Sequence, residues 1–144
     1  MKIALGADHG GFALKEEIKR FLNEQGHAVT DFGTSSAAST DYNDYAILVA
    51  EGVANGDFER GILVCGTGIG MSIQANKING VRAALVHDLF SAKATREHND
   101  SNVLTMGGRI LGVDLALAIV DVWVNTAFSE ETRHVRRVGK IDKY

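Results

Sequence analysis

The strongest constraint on the fold is an alternation of short apolar runs with longer stretches of helical periodicity. The apolar runs occupy residues 3–7, 28–33, 61–65, 82–86 and 102–106. Apolar residues at helical spacing predict helices over 11–26, 44–55, 89–97 and 113–125, one from the glycine loop to about Lys77, and one starting near Ser129. Strands that alternate with helices form βαβ units, so we predict an α/β sandwich with a five-stranded parallel sheet between helical layers.

Finer expectations follow from the same patterns. Residues 61–65 are almost uniformly apolar, which is typical of a central strand buried on both faces. Ser129 is expected to cap the last helix, with Glu130 and Glu131 in its first turn. With 144 residues and no linker, the chain is predicted to form one domain over 1–144. The inner side of the helix over 113–125 is assigned to Leu115, Ile119, Val122 and Trp123.

Composition excludes several classes of protein. The net charge of −3 argues against a general nucleic-acid binder. The most apolar long segment is interrupted by Asp114 and Asp121, so no membrane span is expected. The N-terminus does not resemble a signal peptide, and a single cysteine fits a reducing cytoplasm.

The stretch VCGTGIGMS at 64–72 places three glycines after a strand, where backbone N–H groups can face an anion. No Gly-Lys-Ser/Thr follows, so a Walker phosphate loop is excluded. The spacing G-x-G-x-G departs from the dinucleotide fingerprint, although Asp88 beyond the next strand keeps a small nicotinamide-binding domain as an alternative. A tight turn with a buried structural cysteine is the third interpretation.

Cys65 favours a chemical role for this loop. At the end of a strand, beside several N–H groups, a thiol is readily held as the thiolate and can act as a base or nucleophile. A permanent phosphate beside a thiolate would be repelled, whereas an oxyanion formed as the thiolate takes up a proton would not. A phosphate could then bind Arg133 and Arg137, which lie on one helical face, although such a stripe is also typical of a solvated surface.

Two histidine sites complete the candidate set. Asp8-His9 follows the first strand and His98-Asn99-Asp100 is expected in the loop before the fifth. Each could be a simple polar turn, but a cysteine, two histidines and an arginine pair around one sheet favour an active site. No metal-ligand spacing is present, so no metal is expected.

Five stretches point to one known family: GADHGGFALK at 6–15, DFGT at 31–34, CGTGIGMSIQANKINGVRAAL at 65–85, REHNDSNVLTMGGR at 96–109 and RHVRR at 133–137. In these the chain closely resembles the RpiB/LacAB sugar-phosphate isomerases, particularly the ribose-5-phosphate isomerase B branch. The likeness runs from end to end. It implies a Rossmann-like homodimer, paired into tetramers in some members, that interconverts D-ribose 5-phosphate and D-ribulose 5-phosphate without metal or organic cofactor.

The resemblance also implies roles for individual residues. Cys65 would move the proton between C2 and C1, and His98 would help to open the furanose ring. Asn99 would hold sugar hydroxyls, and Asp8 would contact the sugar near its reacting end. The hole for the enediolate oxygen would be formed by Gly66, Thr67, Gly68, Ile69 and Gly70. The phosphate would be held by His9, Arg109, Arg133 and Arg137, with the C-terminal arginines and the His98 segment supplied by the partner subunit.

The chain departs from the family pattern at one place near Tyr42, another expected substrate contact. Asn43 stands where the family commonly has proline. Met71 stands where one branch of the family carries a catalytic carboxylate, which supports Cys65 as the base. Isomerases of six-carbon phosphosugars, of the allose or galactose 6-phosphate type, and a non-catalytic phosphosugar-binding protein remain alternatives.

Overall fold

The computed structural model describes residues 1–144 as a three-layer α/β/α sandwich around a five-stranded parallel sheet. The strands are β1 (Lys2–Ala7), β2 (Ala28–Asp31), β3 (Arg60–Cys65), β4 (Ala83–Leu85) and β5 (Val103–Gly107). Their order across the sheet is β2-β1-β3-β5-β4. The helices are α1 (Phe12–Glu24), α2 (Tyr42–Ala54), α3 (Ile69–Ala75), α4 (Leu89–Asn99), α5 (Val113–Asn125) and α6 (Thr132–Ile141). The predicted fold class is confirmed.

The two faces of the sheet carry separate cores because side chains alternate along each strand. On β3, Ile62 and Val64 face a core shared with α1, α4 and α5. Leu63 and Cys65 face the other core, shared with α2 and α3. β3 is therefore apolar on both sides, as its sequence predicts, and it delivers the Cys65 thiol to the α2–α3 side of the sheet.

Several predicted boundaries and faces differ from the structure. Helix α2 begins at Tyr42, two residues before its predicted start, and α3 ends at Ala75. Ser129 is not the N-cap of α6: that position is Glu131, no acidic residue lies in the first turn, and Ser129 Oγ lies 2.6 Å from His134 Nδ1. Leu115 is 42% exposed, because it lies off the stripe of α5 that packs on the sheet.

No helix is both long enough and apolar enough to span a bilayer.

A charge cluster joins α1 to the end of β2. Lys15 is only 1% exposed, and its Nζ lies 2.6 Å from Asp31 Oδ2 and 2.9 Å from Glu16 Oε1. Lys19 Nζ lies 2.8 Å from the same Asp31 oxygen. Burial pushes the pKa of Asp31 up, but the bonds from Lys15, Lys19 and the Gly33 N–H outweigh it and hold that pKa below its ordinary value of 3.8.

Substituting Asp31→Asn should lower the free energy of unfolding by about 1–3 kcal/mol at neutral pH, because it removes one counter-charge of a buried lysine. Because the folded-state pKa of Asp31 is depressed, its contribution is present above the unfolded value and is lost as pH falls below it. The stability difference between wild type and variant should therefore shrink between pH 7 and about pH 3.

Urea unfolding at both pH values measures this difference. Asp57→Asn is the matched control, since Asp57 is exposed and makes no ion pair. A difference that stayed constant across this pH range would contradict the assigned role of Asp31.

Candidate active site

Three loops meet at the carboxyl edge of the sheet, because β1, β3 and β5 are neighbours in it. A Cβ atom on Gly10 would lie 2.8 Å from the Gly66 nitrogen, and one on Gly108 would lie 2.6 Å from the Gly10 oxygen. The backbones of the loops after β1, β3 and β5 are therefore in direct contact. Side chains at these glycines would force the loops apart.

Cys65 is the last residue of β3 and is 5% exposed. The Gly68 N–H donates a hydrogen bond to its Sγ at 3.0 Å, which is possible because Gly68 adopts a φ of +77°. The N–H groups of Gly66, Thr67 and Gly70 donate to no acceptor within the chain. The loop thus presents unpaired donors beside a sulfur atom that already accepts a hydrogen bond, an arrangement suited to a developing anion next to a base.

Three side chains surround this loop, and each packs against one of its glycines. A Cβ atom on Gly66 would be 3.1 Å from Arg109 Nη1, which places that guanidinium directly over the loop. A Cβ atom on Gly68 would be 2.7 Å from the Leu85 side chain, and one on Gly70 would be 2.8 Å from the Tyr42 ring. Arg109 and Tyr42 were both expected at the site, and both lie against the loop that carries Cys65.

Asp8 and His9 occupy the turn after β1. Asp8 is 7% exposed, and its Oδ1 accepts hydrogen bonds from the N–H groups of Gly10 (2.9 Å) and Gly11 (3.2 Å). Asp8 therefore stabilises the turn with one carboxylate oxygen and retains Oδ2 for a ligand. His9 Nδ1 accepts from the Thr40 N–H at 3.2 Å, which leaves Nε2 as the protonated nitrogen of the neutral ring and a donor for an anion.

His87 is a residue of this edge to which the motifs assign no role. Its Nε2 accepts a hydrogen bond from the Gly107 N–H at 3.0 Å. A Cβ atom on Gly107 would lie 2.9 Å from the backbone of Thr67, and the next N–H, of Gly108, donates to the Cys65 oxygen at 2.8 Å. The contact depends on β5 lying between β3 and β4, which sequence spacing does not reveal. His87 thus supports the turn that packs against the loop after Cys65.

Substituting His87→Leu should lower kcat/KM about tenfold, because the Gly107 N–H loses its acceptor in a partly buried position. His87→Gln should retain most of the activity, since its side-chain oxygen can replace Nε2 as the acceptor. Steady-state kinetics of the two variants check this prediction. Equal losses in both would mean that the hydrogen bond itself is unimportant.

Asp88, the acidic residue on which a dinucleotide interpretation depends, serves a local purpose. It is the N-cap of α4, and its Oδ1 accepts from the Ser91 N–H at 2.7 Å. That hydrogen bond holds the pKa of Asp88 below its ordinary value. A helix cap accounts for Asp88, so the sequence alternative of a nicotinamide site loses its main support.

His98 and Asn99 lie at the opposite edge of the sheet. The prediction of a loop was wrong here: both residues belong to the last turn of α4, and Asp100 closes the helix in the left-handed conformation at a φ of 46°. Helix α4 starts beyond the carboxyl end of β4 and ends before the amino end of β5, so its length of about 15 Å separates His98 from the Cys65 edge. The chain alone does not bring these residues to the glycine loop.

The C-terminal arginines lie on α6, which packs beside the end of α4. Arg133 Nε lies 3.1 Å from Glu131, and both side chains are more than half exposed. Arg137 is exposed and makes no ion pair within the chain. The two arginines, like His98, are therefore available to a second molecule and not to the glycine loop of their own chain.

His134 joins α6 to the end of α4 and was also missed by sequence reasoning. It is 3% exposed, and its ring centroid is 4.5 Å from that of His98. Burial, and then the neighbouring His98, lower the pKa of His134 below its ordinary 6.5, so its ring is neutral at pH 7. A neutral His134 can pack against His98 without charge repulsion.

No cluster of three or more histidine, cysteine, aspartate or glutamate side chains in the structure could hold a metal ion. The groups at the carboxyl edge are the Cys65 thiol, unpaired backbone donors, the imidazoles of His9 and His87, one free carboxylate oxygen and one guanidinium.

Comparison with known proteins shows the family of the chain. A family model described as Ribose/Galactose Isomerase matches residues 3–141. Ribose-5-phosphate isomerase B of Escherichia coli is 50% identical over 140 residues, which cover 97% of this chain and 93% of that protein. A D-erythrulose-4-phosphate isomerase of Pectobacterium atrosepticum is 40% identical over 145 residues, covering 100% of this chain and 95% of the relative.

Solved structures show the same fold. The ribose-5-phosphate isomerase B of Clostridium thermocellum superposes with a TM-score of 0.97 at 51% identity, over 99% of this chain and 96% of that one. Fold and relatives together define the chain as an isomerase that acts on sugar phosphates. It belongs to the ribose/galactose isomerase family, the RpiB/LacAB family that its sequence motifs resemble.

Proposed function

We propose that this protein interconverts D-ribose 5-phosphate and D-ribulose 5-phosphate, with Cys65 as the base. The observation that carries the proposal is the hydrogen bond from the Gly68 N–H to Cys65 Sγ at 3.0 Å, beside the unpaired N–H groups of Gly66, Thr67 and Gly70. An aldose–ketose exchange needs a base next to a site for a transient oxyanion. This loop supplies both within a few residues.

The proposed reaction moves one proton between two carbons. The Cys65 thiolate removes the proton from C2 of the open-chain aldose, the C2–H electron pair forms the C1–C2 double bond, and the carbonyl electrons pass to the C1 oxygen. The loop N–H groups stabilise the resulting cis-enediolate. Return of the proton from the thiol to C1, with transfer of the hydroxyl proton from O2 to O1, gives the ketose and restores the thiolate.

The phosphate is held away from the reacting carbons. His9, through Nε2, and Arg109 contribute from the chain that carries the base, while Arg133 and Arg137 come from a partner subunit. Guanidinium groups fit phosphate oxygens closely, and an anchored phosphate lets remote binding energy orient the reacting end. His98 of the partner subunit assists opening of the furanose ring, and its Asn99 binds sugar hydroxyls. Asp8, through its free oxygen, contacts the sugar near C1 and C2.

A homodimer with shared sites accounts for the separation of these groups within one chain. His98, Asn99 and the arginines of α6 lie at the edge opposite Cys65, so a second copy is needed to complete the site. An apolar surface adjoins the glycine loop and could bury against such a copy. Its members are Ile69 (49% exposed), Ile73 (60%), Leu85 (39%), Leu89 (44%), Phe90 (81%) and Ile110 (57%). Pairing of dimers into tetramers is also compatible with this arrangement.

The proposal also specifies the number of carbon atoms in the sugar. The family description includes galactose isomerases, and a relative is named for a four-carbon phosphosugar. The higher identity to ribose-5-phosphate isomerase B favours the five-carbon substrate. Cys65 forms no disulfide, and the proposed substrate is a sugar phosphate of central metabolism. Both features support a cytoplasmic enzyme.

The test is ketose formation from D-ribose 5-phosphate in the presence of a chelator. We expect turnover by the wild type, with a KM for allose 6-phosphate and galactose 6-phosphate well above that for ribose 5-phosphate. Turnover of a six-carbon sugar alone would replace the proposed substrate, and binding of phosphosugars without any turnover would make the protein a binding module.

A further inference from the structure

A hydrogen bond between two side-chain amides links the start of α2 to the end of α3, the helix that follows the glycine loop. Asn43 Nδ2, in the first turn of α2, donates to Gln74 Oε1, near the end of α3, at 2.9 Å. Both residues are half-buried, and neither carries charge. The motifs and the proposed chemistry assign no role to this pair.

The pair lies beside the contact between Tyr42 and Gly70. Tyr42 directly precedes Asn43 in α2, and Gly70 lies one helical turn before Gln74 in α3, so both contacts join the same two helices side by side. The Tyr42 ring lies so close to Gly70 that a Cβ there would be 2.8 Å from the ring. Any shift of the first turn of α2 relative to α3 therefore moves the Tyr42 ring across the loop that carries Cys65.

Few other interactions hold Tyr42 in place. The residue is 37% exposed, and its hydroxyl makes no hydrogen bond within the chain. The N-cap of α2, Asp41, makes no side-chain capping bond, so the helix start is not fixed by its own cap. On the opposite side, Thr40 Oγ1 lies 2.9 Å from the Tyr45 hydroxyl, which ties the preceding loop to the second turn of α2 and not to α3.

We infer that Asn43 and Gln74 are positioning residues that hold the Tyr42 ring over the glycine loop and thereby set the affinity for the sugar phosphate. The inference rests on the proposed function and on Tyr42 as a substrate contact, which is what the family resemblance implies for this residue. The amide pair acts through Tyr42 alone, since neither amide lies in the loop and their hydrogen bond joins the two helices. Loss of the pair widens the range of positions open to the ring and so weakens ground-state binding more than it slows proton transfer.

The experiment compares Asn43→Ala, Gln74→Ala and the exchanged pair Asn43→Gln with Gln74→Asn, with Asn23→Ala as control because Asn23 is an exposed residue of α1. We expect each alanine variant to raise KM for ribose 5-phosphate by about 3- to 10-fold, with kcat changed less than about twofold. The exchanged pair should restore KM, because the summed side-chain length and both amides are retained.

A double-mutant cycle with Tyr42→Ala separates positioning from a general effect on packing. In the Tyr42→Ala background, Asn43→Ala should cause no further change in KM. The inference is overturned if KM is unchanged in Asn43→Ala, or if the same fold-change persists without the Tyr42 ring.

A measurement that needs no turnover keeps this inference distinct from the proposed function. The chain has three tyrosines, so the fluorine NMR spectrum of protein labelled with 3-fluorotyrosine is simple, and Tyr42→Phe assigns the relevant line. The Tyr42 line should shift or broaden in Asn43→Ala and Gln74→Ala but not in Asn23→Ala. An unchanged line would refute positioning even in an active enzyme, whereas an inactive wild type with a shifted line would refute only the proposed function.

Discussion

Cys65→Ala is expected to lower the exchange of the C2 proton of ribose 5-phosphate by about 10²–10⁴-fold, because it removes the only proposed base while leaving the loop intact. The Cys65 side chain is small and the residue is 5% exposed. The Gly68 N–H, which donates a hydrogen bond to Cys65 Sγ, belongs to a turn that neighbouring backbone segments hold in place, so the turn should persist in the variant. Exchange is measured by NMR in D2O, together with ketose formation.

The same variant should still bind the substrate with nearly wild-type affinity, since other residues hold the phosphate in the proposed site. Circular dichroism and sedimentation confirm that it folds and associates as the wild type does, and Cys65→Ser provides a second variant of similar size with a much weaker base. Exchange at close to the wild-type rate in either variant would rule out Cys65 as the base.

Mixing two inactive variants is expected to restore activity. Cys65→Ala removes the proposed base, and Arg133→Ala with Arg137→Ala removes the proposed phosphate contacts on α6. Because α6 and the end of α4 lie at the edge opposite Cys65, a mixed dimer of the proposed shared-site kind would contain one site with every defect and one with none. Co-refolded in equal amounts, the two variants should regain about a quarter of wild-type activity, since half of the randomly paired dimers are mixed and each has one intact site.

The control is a mixture of the same proteins that has not been allowed to exchange subunits, which should stay inactive. Differently tagged chains show by tandem purification how many mixed dimers form. If mixed dimers form and remain inactive, Cys65 and the arginines of α6 do not share a site across subunits.

Much of the carboxyl edge could be predicted from the sequence because its elements are local. Residues 61–65 predict a strand buried on both faces, and the glycines that follow predict a tight turn. The position of Cys65 and of its loop therefore follows from residues that are close together in the sequence. The turn that carries Asp8 and His9 and the segment that carries Arg109 also follow directly from predicted strands. In parallel sheets such segments share one edge, which is why these residues could be grouped before the structure was known.

The errors concern helix ends and faces, where local signals compete with packing. Ser129 is a good capping residue by type, but its hydroxyl lies against His134 and the helix starts after Glu131. His98 and Asn99 continue α4 two residues beyond its predicted end, because Asp100 supplies the left-handed residue that ends the helix. The amide pair of Asn43 and Gln74 joins residues 31 positions apart and has no signature in the sequence.

The sequence by itself determined the α/β class, the place of the Cys65 loop at the end of a buried strand, and the family to which the chain belongs, because periodicity, glycine spacing and contiguous motifs are properties of the local chain. Only the tertiary structure decided that β5 lies between β3 and β4. This order places Arg109 over Gly66 and allows the Gly107 N–H to donate a hydrogen bond to His87 Nε2. It also decided that His98 and the arginines of α6 lie at the opposite edge from Cys65. Strand order, and the edge of the sheet at which a helix ends, depend on how the faces of the helices and of the sheet pack against one another. That packing involves residues that are distant in the sequence, so no local pattern predicts it.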